Sequence, residues 1–367
     1  MKDHPPARQQ RKWQRRGWRS LVWTVVVILL VQFVGGLLLD YCWPQVRFPA
    51  AARVLARCTP PPPGPLVITL GSSRFDGGIM ADQVARQLRE GTGEDTLQVV
   101  NLAVGCGDLI VAEHLYGKLR AQGVKPTYLV LEVSPETLNS SNVWLDQHAY
   151  RQLTWLDTLA YSPDLIRSGH YLRFWRSRLL PLYIHREQIV RHLALQTVAG
   201  TKVTTAMQQA FLVPPVKDEG LWPDPRMRHD ASLRTQAGLD NIRRWLKRYQ
   251  VGGAAAASLE RLVQRCEGEA IPVLLVGVPV TSAHRGLYRP EIEAAFQRHM
   301  QDVTRRYTHT RYVDFRAAIP DIGFTDNHHL TPEGGMQFSR LLAEQALLPE
   351  LREHHTISAP TKEKARE

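Results

Sequence analysis

Cysteine is scarce in this chain of 367 residues: four, at positions 42, 58, 106 and 266, with no C-x-x-C pair among them. That spacing gives no support to a compact zinc module or a thioredoxin-type redox motif. Internal repeats, low-complexity tracts and a regular basic stripe are also missing, so the net charge of +11 does not by itself indicate a nucleic-acid binder. The charge is local instead. Acid is nearly absent from the first nineteen residues, where Lys2, Arg8, Arg11, Lys12, Arg15, Arg16 and Arg19 face Asp3 alone.

An uncharged run succeeds this basic segment. Leu21 to Leu39 is just long enough to cross a hydrocarbon core as a helix. Trp13, Trp18 and Trp23 lie near one end and Tyr41 and Trp43 near the other, as interfacial aromatics do. The basic flank predicts a cytoplasmic N-terminus, with the rest of the chain beyond the membrane. A cleaved signal peptide is the competing reading. The run is long for a signal core, and the small residues of "FPAAARVLARC" (48–58) lie well past it. Arg57 stands where a lipoprotein cleavage site before Cys58 would need a small residue. An uncleaved anchor is therefore preferred. In an oxidising compartment Cys42 and Cys58 could pair across the short linker, a point the sequence leaves open.

The expected organisation is a basic cytoplasmic tail (1–19), a transmembrane anchor (20–39), a Pro-rich linker (40–64), an α/β domain (65–350) and a polar tail (351–367). "CTPPPPGP" (58–65) reads as a stiff spacer. Beyond it, strands predicted at 65–70, 97–104, 127–133, 271–280 and 311–315 alternate with helical patterns. That rhythm implies a parallel sheet with helices on both faces. From about Asn139 to Thr235 it breaks into a basic, aromatic and mainly helical stretch, read as an insertion. Packing over the sheet edge is the preferred role for it. A cap over the site, a membrane-facing surface or a grip on an acidic glycan are the functional alternatives.

Ligands bind outside the carboxyl ends of strands in such sheets, and chemistry-bearing residues gather there. "ITLGSSRFDGG" (68–78) puts Ser72, Ser73 and Arg74 after the first strand; Gly105 and Gly107 follow the second; Ser134 and Glu136 follow the third. "FTDNHHLTPEGG" (324–335) puts Asp326, His328 and His329 after the last. A serine needs a base to take its proton and a carboxylate to orient that base. Asp326 and His329, three apart at the entry to a helix, can share one face of a turn. Taken alone, the serines read better as a strand-ending turn than as a catalytic pair. The Asp326, His328 and His329 cluster reads less well as a metal site, because no further ligand stands at suitable spacing. Glu132 and Glu136 are too ordinary a pair to indicate a glycosidase.

Together these blocks resemble the SGNH, or GDSL-type, hydrolases. "GSSR" is similar to their first block, "NLAVGCG" (101–107) to the second and "TDNHHLTPEG" to the closing D-x-x-H block, in the family's order and over about residues 65–350 outside the insertion. The resemblance implies a three-layer α/β/α, flavodoxin-like fold. It implies Ser73 as nucleophile, His329 as base and Asp326 as its orienting acid, with no cofactor and no metal. Ser72 takes the place usually held by aspartate. Gly105 is the first choice for an oxyanion amide and Gly107 the second. Ser72, Arg74 and His328 are further expected substrate contacts. The chain departs at the third block: where the family has G-x-N-D, this sequence reads "LEVSPETLN" (131–139), leaving Asn139 or Asn142 as substitute oxyanion donors.

An anchor joined to such a domain is similar to members of the family that act at bacterial envelopes, several beside membrane-bound O-acyltransferases. The resulting expectation is a periplasmic or otherwise extracytoplasmic domain held at the bacterial inner membrane. It would be an acyl-ester hydrolase or O-acyltransferase acting on an acylated glycan or related polymer, with an O-acyltransferase as partner and no nucleic acid. The alternative is a catalytically inactive domain of the same type that binds polymer or scaffolds an acylation complex.

Overall fold

A computed structural model describes residues 7–140, 154–167, 171–199 and 230–352. Asn142 and nearly all of the C-terminal tail lie outside them. Helix α1 (Ala7–Leu37) runs into a π-helical segment at Leu38–Cys42. Its stretch Arg16–Cys42 is long and apolar enough to cross a membrane, with a mean hydropathy of 2.5 and few side chains covered by the rest of the chain.

Residues 40–64 are more than the spacer the prolines suggest. They carry α2 (Pro44–Arg47) and α3 (Pro49–Ala56), each opened by a proline at its first turn, where no amide is needed. Ala51, Val54 and Cys58 are buried in the main core. Cys42 and Cys58 are not joined in a disulfide, so that pairing is not formed.

The sheet contains β1 (Leu66–Leu70), β2 (Gln98–Asn101), β3 (Tyr128–Val133), β4 (Val273–Gly277) and β5 (Thr310–Asp314). All neighbours are parallel, in the order β2-β1-β3-β4-β5. This is the flavodoxin-like order. The central strands are buried throughout because both faces are covered, as their unbroken apolar runs require.

Alternation along the strands divides the core in two. Leu66, Ile68, Leu129, Leu131, Val273 and Leu275 face one layer, built from α3, α6 (Leu109–Ala121), α12 (Gly253–Gly268) and α14 (Pro290–Arg306). Val67, Tyr128, Val130, Leu274 and Val276 face the other, built from α4 (Ser73–Gly78), α5 (Ala81–Thr92) and α15 (Pro332–Leu341). The fold is thus a three-layer α/β/α sandwich.

The insertion contributes α7 (Trp155–Arg167), α8 (Tyr171–Leu179), α9 (Pro181–Ile184) and α10 (Arg186–Ala199). Helix α7 packs on α12, α8 and α9 pack on α1, and α10 packs on α2. Its neck closes later than the composition suggests. Asn139 bridges Val251, and Ser140 donates its amide to Gln250 O at 2.7 Å, so the chain rejoins the domain at 250–252 rather than near 235. Helix α11 (Ala231–Trp245) lies between, and α13 (Ser282–Arg285) follows β4.

Candidate active site

β1 ends at Leu70, and the chain turns at once into the short helix α4. Ser72 is its N-cap: the hydroxyl accepts from Arg74 N at 3.2 Å. Ser73 is therefore the first helical residue, half-exposed while its neighbours Ser72 and Arg74 are buried. From β5 the chain runs through Phe324, which bridges Leu330, and the tight loop between them holds Asp326 to His329. Thr331 then caps α15, accepting from Gly334 N, with Pro332 at the first turn.

The two segments meet. Ser73 Oγ lies 2.8 Å from His329 Nε2, and His329 Nδ1 lies 2.7 Å from Asp326 Oδ2. The other oxygen, Asp326 Oδ1, accepts from the amides of His328 and His329 at 2.9 and 2.8 Å. Burial alone would push the Asp326 carboxyl up, but its bond from His329, the two histidines and the backbone amides outweigh this and hold it well below the usual carboxylate range. An ionised Asp326 can only accept, so His329 Nδ1 carries the hydrogen and Nε2 is left to accept from Ser73.

The oxyanion expectations separate. The amides of Ser73 and Gly105 are not taken up by any other group among the described residues. Gly105 is exposed, with open space around the position of a Cβ. Gly107 is different: its amide donates to Val104 O at 2.7 Å, and a Cβ there would stand 2.7 Å from Gly71 O. It is glycine so that the second-block loop can pass against the first, and it has no amide to offer. Asn139 is also removed as a donor. It is buried, its Nδ2 donates to Trp245 O at 2.6 Å, and its Oδ1 accepts from Gln250 N at 3.1 Å. It clamps the neck of the insertion.

Arg74 and Ser72 are not substrate contacts either. Glu132, projecting from β3, takes the Ser72 amide and hydroxyl at 2.7 Å each and Arg74 Nε at 2.8 Å. Arg74 also donates to Glu136 at 2.7 Å and to Ser134 at 3.1 Å. Glu132 and Glu136 are thus the buried counter-charges of one arginine, not an acid/base pair. Burial would raise Glu136, but Arg74, then His284, hold its carboxyl down at about 2.

From Glu136 the network continues through residues the sequence did not single out. Tyr288 donates to Glu136 at 2.9 Å and stands 3.1 Å from His284 Nε2; His284 Nδ1 in turn is 3.2 Å from Asn327 Nδ2. A buried polar chain therefore joins the neighbour of Ser73 to the neighbour of Asp326. Burial drives His284 down to about 4 and is also the leading reason His328 falls well below its ordinary value. His328 is buried, its ring 6.0 Å from that of His284 and 4.1 Å from that of His329, so it packs behind His329. Two further supports were not anticipated. Asn101 accepts from Thr69 Oγ1 and donates to Phe75 O, both at 2.8 Å, tying β2 to the helix that carries Ser73. Gly238 lets α11 lie directly on the triad loop, since a Cβ there would stand 2.0 Å from Asn327 Oδ1. Neither carries a signal in a single sequence.

The oxygen and nitrogen ligand atoms of Asp326, His328 and His329 lie within 4.8 Å of one another. Their hydrogen bonds and the neutral, buried state of His328 suit the Ser73 relay.

No family model matches the chain, and no curated relative does. Solved structures of similar outline include an α/β hydrolase from the metagenome of Lake Arreo, Spain, at 12% identity and a TM-score of 0.35, covering 76% of this chain and 94% of that one. An acetylxylan esterase from Geobacillus stearothermophilus overlaps at 12% identity and a TM-score of 0.37, over 76% and 94% of the two chains. A putative lipolytic protein of the G-D-S-L family from Desulfitobacterium hafniense overlaps at 10% identity and 0.32, over 76% and 98%. Values this low assign neither activity nor substrate, and the functional reading rests on the site itself.

Proposed function

We propose that this chain is a membrane-anchored serine acyl-ester enzyme of the SGNH type, a hydrolase or an O-acyltransferase. The observation that carries the reading is the unbroken relay Ser73–His329–Asp326, drawn from two segments more than 250 residues apart. Ser73 Oγ attacks an acyl carbonyl and its proton passes to His329 Nε2. The amides of Ser73 and Gly105 receive the developing oxyanion. Collapse expels the alcohol, protonated by His329, and leaves an acyl-enzyme on Ser73. Water or an acceptor hydroxyl then attacks, with His329 as base, and Ser73 is regenerated. The same residues serve both outcomes; only the second nucleophile differs.

Leu21 to Leu39 serves as an uncleaved anchor in the bacterial inner membrane, with the basic end in the cytoplasm and the α/β domain outside. The substrate class we favour is an acylated envelope glycan or related polymer, handled beside a membrane-bound O-acyltransferase. The basic flank and the apolar helix support the topology, and the resemblance of an anchor joined to such a domain to envelope-acting members of the family supports the substrate class.

The test is turnover of p-nitrophenyl acetate by the full chain in detergent. The reading expects release of p-nitrophenol that is lost in Ser73→Ala and in His329→Ala while the thermal midpoint is kept. Equal release by wild type and Ser73→Ala would overturn it and leave the scaffold reading.

A further inference from the structure

Beyond the N-terminal helix, exposed apolar side chains concentrate in the insertion. Beyond Cys42, nine of the twelve exposed large hydrophobic residues among the described ones fall in 154–199. They recur at helical spacing: Leu156, Leu159 and Ile166 on α7, Leu172 and Leu179 on α8, Val190 and Leu193 on α10. Leu172 is 82% exposed. Exposed apolar surface concentrated in one part of a chain marks an interaction site.

The contacts of the insertion with α1 fix its level. Gln32 is the one side-chain amide in the apolar run, and its Oε1 accepts from Leu182 N at 3.1 Å. Leu182 also packs on Gly35, where a Cβ would stand 2.6 Å from its Cδ2, and Pro181 packs on Gly36. Gln32 lies seven residues before Leu39, about 10 Å along a helix rising ~1.5 Å per residue. If α1 spans the membrane, Leu180–Tyr183 sits at the depth of its outer half. The polar bonds agree with that depth. A helix start leaves amides without partners, and in hydrocarbon these must be met from within the protein. Gln32 meets one at the start of α9, and Asp40 Oδ2 meets another, Trp155 N, at the start of α7 at 3.0 Å. Asp40 is itself buried against Arg47 and Arg178.

We infer that α7–α10 form a membrane-embedded collar around the outer end of α1, with their apolar stripes against the acyl chains of the outer leaflet. The inference rests on the anchor reading of α1 and is independent of the chemistry at Ser73. The occupant of the stripes is lipid because α8 and α9 pack directly on α1, whose Val31, Phe33, Val34 and Leu38 are themselves exposed along the apolar run. The collar holds the α/β domain against the bilayer surface and presents it to substrates carried on, or emerging from, that membrane.

The test uses the full chain, with Cys42→Ser and Cys106→Ser, in phosphatidylcholine–phosphatidylglycerol vesicles. Single labels are placed through Leu172→Cys, Val190→Cys, Val27→Cys in the anchor and Ile322→Cys on the α/β domain. Each carries an environment-sensitive fluorophore read against lipids brominated on their acyl chains and against aqueous iodide. The inference expects loss of fluorescence in brominated lipid at 172, 190 and 27, and loss only to iodide at 322. Lipid quenching at 27 with iodide quenching at 172 and 190 would overturn the collar and leave the anchor standing. Labels at 172 and 190 shielded from both quenchers would mean that a protein covers the stripes, which also overturns it. No lipid quenching at 27 would remove the anchor and the collar together.

Discussion

Glu132 holds Ser72 at two points: one carboxylate oxygen takes the backbone amide and the other the hydroxyl, each at 2.7 Å. The carboxylate that supports the Ser73 loop therefore comes from β3, while the first block itself carries serine where the resembled family carries aspartate. This relationship explains Ser72, and it predicts that restoring the family residue harms this protein. Ser72→Asp would set two carboxylates side by side in a buried site, with only Arg74 between them. The expected result is a loss of about 3 kcal/mol or more in denaturant unfolding. Ser72→Asp combined with Glu132→Gln should recover much of that loss. Additive losses in the double variant would show that the two positions are not coupled.

Glu136 and His284 set an acid limit on stability. His284 has an ordinary value of 6.5 and a folded value of about 4, so between these the unfolded chain binds the extra proton and stability rises with pH. Glu136, held at about 2 against an ordinary 4.5, gives stability that is complete above 4.5 and is lost as pH falls toward 2. Both groups act in the same direction. Unfolding free energy should fall on acidification below about pH 6.5, by up to roughly 1.4 kcal/mol per pH unit for each titrating group. His284→Gln should reduce the slope above pH 4.5, the buried His328 supplying what remains. An unchanged profile would contradict the buried, neutral state of His284.

Gly105 and Asn139 should behave oppositely on substitution. Gly105→Ala keeps the amide and meets open space, so it should retain activity. Gly105→Pro removes the amide and should cost about a hundredfold to a thousandfold in ester turnover. Asn139→Ala unclamps Trp245 and Gln250 at the neck of the insertion. It should lower stability by about 1–3 kcal/mol with the turnover of folded protein retained. A selective loss of turnover in Asn139→Ala would return it to the oxyanion site.

Asp326→Asn keeps the shape of the acid and removes its charge. With Asn327 and His328 still in place, the loop should fold, while His329 loses the acceptor that fixes its tautomer. Ester turnover should fall by about a thousandfold or more. Turnover within a few-fold of wild type would mean that His329 is oriented by another group.

Much of the fold was legible in the sequence because parallel strands buried on both faces leave uninterrupted apolar runs, as in Leu66–Leu70 and Val273–Gly277. The relay was legible too, because Ser73, Asp326 and His329 each follow a strand end. What was not legible depends on contacts between distant residues. Nothing local marks Glu132 as the support of Ser72, sixty positions away. Nothing local marks Gly238 as the seat of the triad loop, or Tyr288 and His284 as the link from Glu136 to Asn327. The prolines of 58–65 suggested a stiff spacer, yet Cys58 and Val54 at or just before them are core residues, because α3 is amphipathic and the sheet face needed cover.

The central claim is that Ser73 is an activated nucleophile, and the most direct measurement is reaction of the full chain in detergent with a fluorophosphonate, mapped by mass spectrometry. The account predicts a single adduct on Ser73, absent from Ser73→Ala and strongly slowed in His329→Ala at unchanged folding. No adduct on folded wild-type protein, or an adduct on Ser72, would contradict it.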